Sequence, residues 1–83
     1  MRVVQRDPMH QDVYADGAVV FTLPSGPIPL GFEISMVDNT GTFAGTNMVV
    51  SASGGMLIDG SATLTLSTAY QVRAFKFAGP KWI

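Results

Sequence analysis

The sequence has no cysteine, one histidine and one tryptophan in 83 residues, and charged side chains make up only 13% of it. Each shortage excludes something. Without cysteine there is no disulfide staple, no thiolate nucleophile and no thiolate metal site. With His10 as the sole imidazole, a zinc site would draw most of its ligands from carboxylates, which zinc sites rarely do. Asp38-Asn39 lacks the regular oxygen-ligand spacing of a calcium loop, so no metal or cofactor is expected, with a calcium ion held between subunits as the one alternative left open. No apolar run approaches the roughly 20 residues that cross a bilayer, so a membrane is not an expected partner. The stretch Met1-Arg2-Val3-Val4-Gln5-Arg6-Asp7 lacks the apolar core of a secretory signal, which points to synthesis in a cytoplasm. The basic residues Arg2, Arg6, Arg73, Lys76 and Lys81 are scattered and the net charge is −1. Nucleic acid demands clustered cations and is not expected either.

What is abundant is apolar: 47% of the chain. A domain of this size hides only about 60–65% of the surface its unfolded chain exposes, and such domains usually rely on a disulfide, a metal or a partner subunit. The partner subunit is the device left over. Between Ile34 and Val72 the only charges are Asp38 and Asp59. Either copies of the chain cover that neutral stretch, or it is a Ser/Thr-rich neutral surface of the kind some adhesins and virion proteins carry.

Residues 1–16 read as an extended N-terminal arm, or a disordered terminus, because they gather Arg2, Arg6, Asp7, Asp12 and Asp16 around Pro8 and His10 without sustained periodicity. Residues 17–83 read as a β domain. Ala18–Leu23 is rich in branched and aromatic residues and stops at Pro24-Ser25-Gly26-Pro27-Ile28-Pro29, a loop by composition. Gly31–Val37 alternates, with Phe32, Ile34 and Met36 on one face, and Asp38-Asn39-Thr40-Gly41 turns. Thr46–Ser51 predicts another strand, Asp59-Gly60 a tight hairpin after Met56-Leu57-Ile58, and Ala62–Leu66 an alternating strand. Tyr70–Phe77 has apolar residues on both faces, so it is expected to be central or covered by a subunit, and Gly79-Pro80 turns the chain toward Trp82. The expected fold is all-β: a small antiparallel sandwich or barrel-like meander, completed by association with other subunits.

Nothing in this pattern assembles catalytic chemistry. Asp7, Asp12, Asp16, Glu33, Asp38 and Asp59 are the carboxylates, and Asp38 and Asp59 lie in turn signatures. His10 has no nucleophile of a triad near it in sequence. Ser25-Gly26 and Ser53-Gly54-Gly55 match neither a nucleophile elbow nor a phosphate loop. No catalytic, cofactor or metal residue is assigned. Tyr70, Trp82 and Phe43 could stack on a sugar ring, though aromatics in small β domains more often fill the core. A buried Trp82 would need an acceptor for its indole N–H, which a subunit boundary would supply.

The succession of elements resembles a short module of bacteriophage tail fibres, tail spikes and head fibres. Leu23-Pro24 closes the first strand. Gly31 through Val37 then enters Asp38-Asn39-Thr40-Gly41. A small-residue strand leads into Ile58-Asp59-Gly60-Ser61 and a Leu/Thr strand, and Phe75-Lys76-Phe77-Ala78-Gly79-Pro80-Lys81-Trp82 ends the pattern. The resemblance covers roughly residues 18–82. It implies a homotrimeric structural protein of the virion, with other virion proteins as partners. Because the chain is far shorter than a fibre, it implies a decoration, collar or tail component. The alternative is a carbohydrate- or receptor-binding module of a phage adhesin, with a host-surface glycan as ligand.

Overall fold

Seven short strands and no helix form the regular structure of residues 1–83 in the computed structural model. They are β1 (Arg2–Asp7), β2 (His10–Tyr14), β3 (Val20–Thr22), β4 (Glu33–Val37), β5 (Met48–Ser51), β6 (Thr63–Leu66) and β7 (Val72–Lys76). One sheet has the order β1-β2-β4-β7 and the other the order β3-β5-β6. Each sheet turns one side inward, so alternate residues of a strand enter a shared core. The core unites Val13, Ile34, Met36 and Phe75 of the larger sheet with Met48, Val50 and Leu66 of the smaller. Leu23, Phe43, Ile58 and Trp82 enter it from outside the strands. Cα extents of 33 × 27 × 15 Å agree with two layers roughly 10 Å apart.

The all-β sandwich expected from the sequence is present, and no barrel closes. The sheets are mixed, not purely antiparallel: β2 runs parallel to β4, and β3 parallel to β5. Parallel neighbours need a long crossover. The segment between β2 and β4 supplies one by leaving for the smaller sheet as β3 and returning through the proline-rich loop.

Three expectations are corrected. Residues 1–16 are not an extended arm: β1 and β2 form a hairpin, β2 is an interior strand, and Val13 and Ala15 are fully buried. The turn that makes this possible is local. Asp7 Oδ1 accepts the Met9 N–H at 2.8 Å, and Pro8 has no N–H to compete. Second, β7 is an edge strand with Val72 exposed on the single chain, which removes the central position and leaves the alternative of cover by a subunit. Third, Asp59-Gly60 turns only a single bridge, Ile58 to Ser61, while β6 pairs with β5 instead.

Candidate functional site

Charge separates the two outer surfaces. The strands of the larger sheet hold Arg2, Arg6, Asp7, Asp12, Glu33, Arg73 and Lys76, whereas β3, β5 and β6 contain no charged residue at all. The register sets Val20, Val49 and Thr65 side by side across the smaller sheet, and Thr22, Ser51 and Thr63 in the next row. These six face away from Phe21, Val50 and Leu64, so they form one neutral surface of branched and hydroxyl side chains. Its edges are β3 and β6, with no strand beyond either.

The carboxylates do not converge. No three His, Asp or Glu side chains gather as a metal cluster. Arg6 pairs with Asp12 at 3.0 Å on the outer side of the larger sheet. Asp16 and Asn39 exchange hydrogen bonds of 2.9 and 2.6 Å, joining the end of β2 to the turn after β4. Asp59 meets Arg73 at 3.2 Å, and that guanidinium lies 4.8 Å from the Phe75 ring centre. Glu33 stands between His10 and Lys76 in the sheet register.

His10 and Asp7 do meet, with His10 Nδ1 2.8 Å from Asp7 Oδ1 in the exposed β1–β2 turn. The His10 hydrogen bond, followed by the Met9 N–H, holds the Asp7 carboxyl below the usual carboxylate range. No hydroxyl nucleophile is bonded to the ring, so the pair shapes a turn.

Asp38 is the one buried carboxylate, with 1% of its surface exposed. Its Oδ1 accepts the Thr42 N–H at 3.1 Å, while Oδ2 accepts those of Phe43 at 3.1 Å and Tyr70 at 2.9 Å. Burial pushes this carboxyl up, but the backbone donors of Phe43, Tyr70, Thr42 and Thr40 outweigh it and leave the group below its ordinary value. Its chemistry is used up in holding two turns.

The aromatics divide. Trp82 is fully buried in the chain's own core, edge-on to Phe77 with ring centres 5.4 Å apart, and its Nε1–H has no acceptor. It stands neither in an exposed groove nor at a surface where a subunit could complete its hydrogen bond, and Phe43 is buried with it. Tyr70 remains 69% exposed, with φ at +60°, a conformation rare for a bulky residue. Sequence reasoning placed the neutral stretch on the surface but not the six residues that make it one face, because strand order is a long-range property.

Neither the protein-family models nor the curated proteins include a match to this chain.

Proposed function

We propose that this chain is a non-enzymatic structural module that assembles with copies of itself, as a trimer, on a larger particle of the bacteriophage virion type. The observation that carries the reading is the confinement of every charged strand residue to one sheet, leaving the other with a neutral outer face and two open edges. A soluble protein that meets only water disperses its charges over its whole surface, and open edges invite pairing with another chain. The likeness of residues 18–82 to fibre and spike modules supports a threefold assembly and a virion setting.

The single chain already encloses a core. The accessible surface, 4343 Å², is no larger than the roughly 4,800 Å² expected of a monomer of this mass. Copies would add burial of the neutral face, worth about 25 cal/mol per Å² of apolar area. Light scattering over a hundredfold range of concentration tests the reading: a trimer mass supports it, and a monomer throughout rejects it.

One observation favours the glycan-binding alternative, the exposed ring of Tyr70 on a strained backbone. Strained residues of this kind cost on the order of 1–3 kcal/mol and gather at functional sites. With Trp82 buried, that reading rests on Tyr70 alone, and a glycan-array signal abolished by Tyr70→Ala would establish it.

A further inference from the structure

The neutral sheet carries more information than its lack of charge, because the hydrogen bonds to β5 fix which way each edge points. The Val49 N–H donates to Val19 O at 2.9 Å and the Leu23 N–H to Ser51 O at 2.8 Å, so odd-numbered residues of this segment direct their backbone at β5. The backbone groups of Val20 and Thr22 point outward by the same alternation. On the other side, the Ala52 N–H donates to Ala62 O at 2.9 Å, which makes the even residues of β6 face β5 and turns Thr63 and Thr65 outward. Each edge therefore presents two N–H and two C=O groups.

β3 runs parallel to β5 and β6 antiparallel to it, so the two edges run in opposite directions. Resting on the assembly reading above, we propose that β3 of one copy pairs antiparallel with β6 of the next, Val20 opposite Thr65, Phe21 opposite Leu64 and Thr22 opposite Thr63. In this register every outward N–H meets an outward C=O. It also preserves the faces, since directly opposed residues of an antiparallel pair share a side. Val20, Thr22, Thr63 and Thr65 continue the neutral surface. Phe21 and Leu64, the half-buried apolar residues at the margins of the core, cover one another. No charged side chain of either strand obstructs the approach. The second copy is the occupant because the two edges complement each other in direction, hydrogen-bond groups and side-chain type. The contact joins unlike surfaces, so it closes a ring or runs on as a filament.

The absence of cysteine makes the register testable without background. Within one chain, Val20 and Thr65 flank Val49 on opposite sides. That places their Cα atoms roughly 10 Å apart, beyond the ~7 Å limit of a disulfide. Across the proposed contact the separation is about 5.5 Å, within reach. Val20→Cys/Thr65→Cys, oxidised in the full chain, is expected to give covalent multimers on a non-reducing gel. The offset pair Val20→Cys/Thr63→Cys is expected to give several-fold less. Val20→Glu/Thr65→Glu should shift the mass to that of the monomer, and Val20→Lys/Thr65→Glu should restore the multimer. A wild-type multimer whose Val20/Thr65 cysteines fail to join, or join no better than the offset pair, overturns the strand contact and leaves assembly standing, as does a multimer that survives the two glutamates. A wild-type monomer at every concentration overturns both.

Discussion

The Tyr70 backbone N–H donates to Asp38 Oδ2 at 2.9 Å while the Tyr70 ring lies over Gly41, so one buried carboxylate joins the turn after β4 to the turn before β7. Asp38 also organises its own turn through Thr42 and Phe43, placing the Phe43 ring in the core. A charged acceptor with several backbone donors makes stronger bonds than a neutral one. Here it extends the β4–β7 pairing, which ends at Val37 and Val72 and continues in the bond from the Asp38 N–H to Gln71 O, into the two turns beyond it.

Asp38→Asn tests that role. The amide must turn its NH2 toward Thr42 or toward Phe43 and Tyr70, so a donor faces a donor in either orientation. The melting temperature is expected to fall on the order of 10 °C. The pH dependence follows from the lowered carboxyl. What Asp38 contributes is complete above about pH 4, the unfolded value, and is lost as the pH falls through the lower folded value. Thermal melts from pH 6 to pH 2 should show the wild type losing stability in the acid range, with a flatter profile for Asp38→Asn.

Gly41 is predicted to require glycine through its backbone. Its φ is +74°, a left-handed conformation, and Gly41→Ala is expected to cost about 1 kcal/mol. A Cβ there would also lie 2.7 Å from Tyr70 Cζ, but that ring is exposed and can swing aside. Urea melts should therefore show nearly the same loss for Gly41→Ala in the wild-type and the Tyr70→Ala backgrounds.

Trp82 gives a spectroscopic readout as the only tryptophan. Its complete burial predicts blue-shifted emission and poor quenching by iodide, both reversed on unfolding. Trp82→Ala removes the largest buried side chain, a loss of about 3–5 kcal/mol. That equals the whole stability of many small domains, ~5 kcal/mol, so loss of near-UV circular dichroism at 25 °C is expected. Trp82→Phe keeps ring packing and removes the unpaired N–H, and it should fold with a lower melting temperature.

Assembly couples to stability by mass action. The melting temperature of the wild type is expected to rise with concentration, while that of Val20→Glu/Thr65→Glu should stay flat. Differential scanning fluorimetry across a hundredfold dilution separates the two.

The strands of residues 17–83 were legible because local alternation, as in Phe32, Ile34 and Met36, reports a half-buried surface directly. The hairpin of β1 and β2 escaped because β1 is exposed along its whole length and β2 buries Val13 alone. The usable signal there was Asp7-Pro8, where an Asx turn bends the chain back. The position of β7 escaped for another reason. Tyr70 and Val72 beside Phe75 imitate a strand covered on two sides, yet both are exposed. Trp82 was legible as an aromatic after a Gly-Pro turn, but not as core, because its place depends on the chain doubling back to bridge Ile58 and Phe77.

The shared core of Val13 and Trp82 also sets an order of events during synthesis. A nascent chain that has emerged only through β6 holds Val13, Ile34, Met48 and Val50 without the indole that fills the space between the layers. Until Trp82 has been made the two layers lack the indole that packs with them, so β3, β5 and β6 emerge ahead of the residue that completes their core.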